Sequence, residues 1–339
     1  MSPMIKINRI RCRRILVLRF FLCYITVGWM VFDIETIPKE EKQLNIGFIG
    51  AGKVGCSLGK YFSTDPETTI KGYYSRSTKS ADEAARFTNS KSYRDISELI
   101  EECDTIFLTV PDGSICDTWK KVRGYDIKGK IICHCSGAMS SDAAFEAIDE
   151  TGALGYSAHP LFAVSDKFNA YRELTGVFFT LEAAKGAQAQ EEGLAKLQGI
   201  FDRLGNPTKI IEGKDKTTYH CAAATASNLV CGLIDQSLAL MKRCGFGEEE
   251  AVKALAPILM GNMSHIAEKG PTASLTGPVE RNDIETIRKH IDCLEDGDEQ
   301  NIYRLLTGRL IHMAESRHPD REYAEMRKII GGETAGSQD

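Results

Sequence analysis

The chain lacks the features that mark several common protein classes. It has 42 basic and 47 acidic residues among 339, so its formal charge of −5 gives no positive field to attract nucleic acid. It contains no nucleophile elbow with a Ser–His–acid set, no His-Glu-x-x-His motif and no Walker lysine. These absences argue against nucleic-acid binding, hydrolysis and phosphoryl transfer.

The cysteines are numerous, but their spacing forms no motif typical of a metal or disulfide site. The eleven cysteines are scattered and include no Cys-x-x-Cys pair. Cys133 and Cys135 would share one face of a strand, an arrangement more typical of small buried side chains than of metal ligands. We expect free thiols, no metal site and a cytoplasmic location, because the cytoplasm keeps thiols reduced.

One long apolar run stands apart from the rest of the chain. It covers residues 15–32, is interrupted by Arg19 and follows a basic segment. If it were a signal anchor, everything after it would lie outside the cytoplasm, where a nucleotide site and free thiols do not belong. We therefore expect residues 1–44 to be a leader outside the fold, with Met30 as an alternative start, and no membrane contact.

A glycine-rich turn follows directly. Residues 46–49 form an apolar strand, glycines follow at Gly-x-Gly-x-x-Gly spacing, and apolar residues then recur every four positions up to Phe62. A strand before and a helix after make this motif typical of a dinucleotide site, whose pyrophosphate binds at the helix N-terminus. The residues predicted to hold it are Gly50, Gly52, Lys53, Val54 and Gly55.

The next unit selects the cofactor. A second strand is predicted to end near Tyr74, and a helix to begin at Ser80 with a capping box. No acidic residue lies between positions 71 and 79, whereas NAD sites normally place one there for the ribose hydroxyls. We predict NADP(H), with the 2′-phosphate near Ser75, Arg76 and Ser77; the alternative is an ordinary exposed loop.

Strands and helices go on alternating, which predicts an α/β fold with a Rossmann-type, doubly wound and mostly parallel sheet. Ligands of such sheets lie at the carboxyl ends of the strands. The cleft beside the nicotinamide should therefore include Val110, Pro111, Ser136 and Gly137. Further strands are predicted at 105–110, 130–135, 153–158, 176–182 and 208–213, and a helix at 191–205.

The pattern changes near Lys214, where helices begin to dominate. A long helix should run from Lys216 to Gly245, with further helices to Ile330. The predicted organisation is a Rossmann-like NADP-binding domain over 45–213, an all-α substrate or dimerisation domain over 214–330 and a flexible tail over 331–339.

Polar residues at three places could carry chemistry. His159 lies at the end of a predicted strand, where it could donate a proton or simply satisfy a loop carbonyl. His220, Ser227 and Asn228 form a stripe on the Ala-rich helix that could face a cleft or solvent. Arg281 could hold a carboxylate with Asp283 fixing it, although a surface arginine and a helix N-cap explain the pair equally well.

Five segments, "IGFIGAGKVGCSLG", "HCSGAMSSDA", "SAHPLFAV", "YHCAAATASNLV" and "LTGPVERND", resemble bacterial proteins that join a Rossmann-like domain to a domain of unknown function numbered 2520. More distantly, the layout is similar to pyrroline-5-carboxylate reductase, prephenate dehydrogenase and the deazaflavin-dependent NADP oxidoreductases. The resemblance implies a helical domain of the 6-phosphogluconate-dehydrogenase C-terminal type and a homodimer. It departs at Asn282, where the family motif has a glycine.

We therefore predict an NADP(H)-dependent oxidoreductase acting on a small oxo or imino acid in the interdomain cleft. Its predicted catalytic residues are His159, His220, Asn228, Arg281 and Asp283. The alternative is a non-catalytic NADP(H) sensor whose helical domain binds a partner. A prephenate dehydrogenase proper finds support only in "AHP" at residues 158–160.

Overall fold

The computed structural model describes residues 43–185 and 189–332. Nearly all of the predicted leader (1–44) and most of the predicted tail (331–339) lie outside these residues. Within the described part, no helix is both long enough and apolar enough to cross a membrane.

A single eight-stranded sheet forms the first half of the described chain, in the order β3-β2-β1-β4-β5-β6-β7-β8. All neighbouring strands are parallel except β6 and β7, which are antiparallel. The predicted doubly wound, mostly parallel sheet is confirmed. The strands are β1 Leu44–Ile49, β2 Thr68–Tyr74, β3 Lys91–Tyr93, β4 Thr105–Leu108, β5 Ile131–His134, β6 Leu154–Pro160, β7 Phe179–Ala183 and β8 Thr208–Ile210.

Helices cover both faces of this sheet, as parallel strands require. They are α1 Lys53–Phe62, α2 Thr78–Thr88, α3 Ile96–Glu102, α4 Ile115–Val122, α5 Ser141–Ala144 and α6 Ala189–Arg203. One boundary differs from the prediction: α2 begins at Thr78, and its N-cap is Ser77, whose hydroxyl accepts the Ser80 N–H. Because Ser77 caps the helix three residues upstream, Ser80 lies inside α2 rather than at its start.

The sheet separates two apolar cores. Phe48, Phe62, Tyr73 and Phe107 pack in one of them, with the rings of Phe48 and Tyr73 stacked at 5.2 Å. Trp119 belongs to the core on the other face. Aromatic rings in contact add packing energy to the area they bury, so this core fixes β1 against its neighbours at the glycine turn.

The second half is helical, as predicted. Its helices are α7 Lys216–Ala226, α8 Asn228–Arg243, α9 Glu248–Lys269, α10 Pro271–Ser274, α11 Pro278–Arg281, α12 Ile284–Cys293, α13 Asp298–Arg317 and α14 Ala324–Ile330. The predicted single long helix is interrupted at Ser227, whose φ of −125° and ψ of −76° leave helical geometry. A small third core includes Ile287, Ile311 and Met326.

The middle helices bury little of their own surface within one chain. Helix α8 has no buried residue, and α9 buries only Ala251. Large apolar side chains are instead exposed on α8, α9 and α13, including Leu229 (62%), Met260 (72%) and Leu305 (75%). Exposed large apolar side chains on neighbouring elements are typical of interaction surfaces.

Candidate functional site

The glycine turn gives each of its glycines a different role. Gly50 has a φ of +112°, a conformation that side chains with a Cβ rarely adopt. At Gly52, the N-cap of α1, an added Cβ would meet no atom within 4 Å. At Gly55, an added Cβ would overlap Thr109 Oγ1 and the Gly50 carbonyl oxygen. The turn is thus tight at Gly50, open at Gly52 and closely packed at Gly55.

A cavity of about 380 Å³ opens above this turn. Six of the predicted cofactor residues line it: Gly50, Gly52, Ser75, Arg76, Val110 and Pro111. Lys121 of α4 also lines it and adds a second cation, which the sequence analysis did not single out. Because Gly52 has no side-chain cap, the first N–H groups of α1 remain available to an anion.

The other predicted cofactor residues lie outside this cavity. Lys53 is exposed at the start of α1, Val54 is half-buried and Gly55 packs against Thr109. Ser77 caps α2, while Ser136 and Gly137 are buried in the turn after β5. Their proposed contacts with a cofactor stay predictions.

A second cavity, of about 560 Å³, lies where β6 meets α7 and α8. It brings His159 together with His220, Ser227 and Asn228 of the later helices, and it adds Tyr219. The turn after β5 packs against two of these side chains, because a Cβ on Gly137 would lie 2.6 Å from His220 Cδ2 and 2.8 Å from His159 Nε2. The polar stripe of α7 and α8 lines this cavity, and its His220, Ser227 and Asn228 are also exposed.

A short hydrogen bond joins residues that lie next to the two cavities. Ser136 Oγ donates to Asp112 Oδ2 at 2.6 Å. Asp112 follows Pro111 of the first cavity, and Ser136 precedes Gly137, which packs on the imidazoles of the second. This contact ties the loop after β4 to the turn after β5.

His159 lies within β6 rather than beyond its end, and its partner is a side chain. Its Nδ1 is 2.8 Å from Tyr219 Oη, and the two rings meet edge to face. Burial, together with the charges of Lys216 and His220, lowers the pKa of His159 to about 4. His159 is therefore neutral at pH 7, which weakens the prediction that it acts as an imidazolium acid.

Lys216 is a buried cation that the sequence analysis missed. Only 1% of it is exposed, and its Nζ donates to the Ser136 carbonyl oxygen at 2.7 Å and to Ser157 Oγ at 2.5 Å. Burial lowers its pKa, while the carboxylate of Glu182 opposes that change. The sequence does hold a signal, since Lys216, Tyr219 and His220 follow i, i+3, i+4 spacing on one helix face.

Arg281 and Asp283 are not among the residues that line either cavity. Arg281 is exposed at the end of α11, and Asp283 is the N-cap of α12, accepting the Thr286 N–H and hydroxyl. Asn282 has a φ of +57°, the left-handed conformation for which glycine or asparagine is suited. Within one chain these residues serve local structure, and a substrate-binding role for Arg281 stays a prediction.

Comparison with known proteins agrees with this architecture. Residues 34–160 match the family model of a Rossmann-like domain, and residues 183–310 match the domain of unknown function DUF2520. This chain is a Rossmann-like protein with a DUF2520 domain. The predicted resemblance is confirmed, whereas the predicted boundary at residue 213 stays a prediction.

Several solved structures share the fold. Protein TM1727 from Thermotoga maritima is 24% identical, with a TM-score of 0.61 over 80% of this chain and 99% of that one. A candidate NADP oxidoreductase, BF3122 from Bacteroides fragilis, is 20% identical, with a TM-score of 0.59 over the same shares. A reductive aminase from Aspergillus terreus in complex with NADPH and ethyl-5-oxohexanoate is 11% identical, with a TM-score of 0.52 over 86% and 93%. No curated protein has a significantly similar sequence.

Proposed function

We propose that this DUF2520 protein is an NADP(H)-dependent oxidoreductase acting on a small carboxylate-bearing oxo or imino substrate. The observation that carries the proposal is the pair of cavities, one above the glycine turn and one lined by His159, Tyr219 and His220, with the hydrogen-bonded Asp112 and Ser136 next to them. Similar folds occur in a candidate NADP oxidoreductase and in a reductive aminase solved with NADPH. We place it in the cytoplasm, since every cysteine in the described residues is free.

The residues of the first cavity fit a phosphorylated dinucleotide. The open space at Gly52 lets a pyrophosphate approach the backbone, and the uncapped N-terminus of α1 supplies N–H donors. Arg76 and Lys121 line the same cavity, where a 2′-phosphate needs cations. When bound, NADPH supplies the hydride, and the protein positions the substrate and the proton source.

The second cavity supplies the polar groups that the substrate requires. The side-chain amide of Asn228 can hydrogen-bond a carboxylate, whereas the Ser227 hydroxyl already donates to the Ala223 carbonyl oxygen. His159, Tyr219 and His220 line the space where an oxo or imino group would lie. The carboxylate anchor predicted at Arg281 does not line this cavity, so we assign the anchoring within one chain to Asn228.

The decisive experiment compares nucleotides. Melting of the purified protein with NADPH, NADH, NADP+ and NAD+ should show stabilisation by the NADP pair only. A ligand at about a hundred times its Kd adds about 2.7 kcal/mol. Arg76→Ala should weaken NADPH binding about tenfold or more and leave NADH unchanged, while Arg86→Ala, an exposed arginine of α2, serves as the matched control. No shift with any nucleotide would reject the proposal.

We further propose a homodimer through the exposed apolar side chains of α8, α9 and α13. Leu305→Glu would place a charge on this surface, where Leu305 is 75% exposed. The expected result is a monomer by light scattering; Thr218→Val, another exposed helical position, should stay dimeric.

The same surface favours the alternative function, a sensor that binds a different protein. A wild-type monomer that binds NADPH without reducing any oxo or imino acid would favour that alternative.

A further inference from the structure

The polar side chains of the second cavity differ in which of their atoms already have partners and which could bind a substrate. His159 Nδ1 is engaged by Tyr219 Oη at 2.8 Å, and its Nε2 lies against the Gly137 backbone. His220 is exposed, and its Cδ2 lies against the same glycine. Tyr219 lines the cavity, and its ring stands edge-on to His159 at a centroid distance of 5.6 Å. Tyr219 is therefore an O–H donor that lines the cavity and whose oxygen is fixed by a hydrogen bond.

Tyr219 is held from three directions. It belongs to the rigid helix α7 and lies three residues after Lys216, which is anchored to the Ser136 carbonyl oxygen and Ser157 Oγ. Its hydroxyl rests on His159, which pairs with Thr180 across strands β6 and β7. Groups held by both a helix and a sheet keep the geometry that catalysis requires.

Resting on the proposed function, we propose that Tyr219 is the catalytic proton donor, which transfers its hydroxyl proton to the oxygen or nitrogen of the substrate double bond. In the tautomer with a proton on His159 Nδ1, that N–H donates to Tyr219 Oη, which leaves the hydroxyl hydrogen out of this bond and available to a substrate. Burial raises the pKa of Tyr219, so the phenol is protonated throughout the physiological range.

The step balances in atoms and electrons. Bound NADPH would supply a hydride and become NADP+ by losing a nicotinamide C–H bond; a C–H bond would then form at the oxo or imino carbon, and the π pair of the double bond would move to the heteroatom. The Tyr219 O–H bond breaks, its proton forms a new bond to that heteroatom, and its electron pair stays on the phenolate oxygen. His159 Nδ1–H stabilises this oxygen until water in the open cavity returns a proton to it.

Tyr219→Phe removes the donor and keeps the ring against His159. The first readout needs no turnover: calorimetric binding of oxamate, an oxo-acid analogue that is not reduced, to protein saturated with NADPH. We expect Tyr219→Phe to bind oxamate about tenfold more weakly, since one hydrogen bond is lost, and to bind NADPH as the wild type does. Thr218→Val, an exposed neighbour on α7, should match the wild type in both.

The second readout is NADPH oxidation with pyruvate, glyoxylate and 2-oxobutanoate, each with and without ammonia. Tyr219→Phe should lower kcat about 10²-fold or more, the usual contribution of a positioned acid, with little change in KM for NADPH. If Tyr219→Phe matches the wild type in oxamate affinity and in kcat, the assignment of Tyr219 is overturned and the proposed function stands. If wild-type protein binds NADPH but neither binds oxamate nor oxidises NADPH with any acid, the proposed function fails, and the role of Tyr219 fails with it.

Discussion

Alanine substitutions at Gly52 and Gly55 should affect cofactor binding and folding separately. A Cβ on Gly52 would meet no atom within 4 Å, and the φ of −78° there suits any residue. Replacing an N-cap glycine by alanine costs about 0.5–1 kcal/mol, and the lower entropy of the unfolded chain offsets about 0.4–1 kcal/mol. Gly52→Ala should therefore unfold with nearly the wild-type free energy.

Gly55→Ala should behave in the opposite way. Its Cβ would overlap Thr109 Oγ1 and the Gly50 carbonyl oxygen, which already form a hydrogen bond of 2.8 Å with each other. Gly50 directly follows β1 and Thr109 directly follows β4, so neither atom can move away from the added methyl without disturbing the sheet. Overpacking of this kind costs about 1–3 kcal/mol. Without ligand, Gly55→Ala should melt several degrees below the wild type.

NADPH should stabilise Gly52→Ala much less than it stabilises the wild type. At about a hundred times its Kd, NADPH should stabilise the wild type by about 2.7 kcal/mol, a shift of about 5–10 °C. If the added methyl of Gly52→Ala lowers affinity a hundredfold, the stabilisation at the same concentration falls to about 0.4 kcal/mol. Thermal melts with and without NADPH measure both quantities. A full NADPH shift in Gly52→Ala, or a wild-type melting temperature for Gly55→Ala, would refute this account of the turn.

Three further predictions concern buried charge. Because the folded pKa values of His159 (about 4) and His134 (about 3) lie below the unfolded value of 6.5, the free energy of unfolding should be highest above pH 6.5. It should fall towards pH 4 by about 1.4 kcal/mol per pH unit per histidine, and urea titrations of His159→Asn should show a shallower fall. Lys216→Met should cost about 1–3 kcal/mol by urea unfolding, since the Ser136 carbonyl and the Ser157 hydroxyl lose their buried donor; an unchanged midpoint would contradict its structural role. Asp65→Asn should cost about 1–3 kcal/mol, because it weakens the two hydrogen bonds that Arg203 donates to a buried carboxylate, whereas Glu67→Gln at the exposed end of the same cluster should cost little.

Local pattern was sufficient for most of the sheet. The apolar runs, the glycine spacing and the capping signals lie within a few residues of one another, so they predict β1, β2 and the turn at Gly50. Strand β3 was not predicted, because it is only three residues long, is partly exposed and contains little apolar pattern. The break at Ser227 was not predicted either, since no glycine or proline marks it.

The sequence by itself determined the fold class, the glycine turn and the family, because each depends on neighbours along the chain. Only the tertiary structure decided which polar side chains meet. The contact between His159 and Tyr219 joins residues 60 positions apart, and the burial of Lys216 depends on β5 and β6. Burial then decides the charge state, since a histidine is neutral or cationic at pH 7 according to the atoms that surround it. Those atoms come from distant segments, so the spacing of His159 and His220 could indicate a site but not its chemistry.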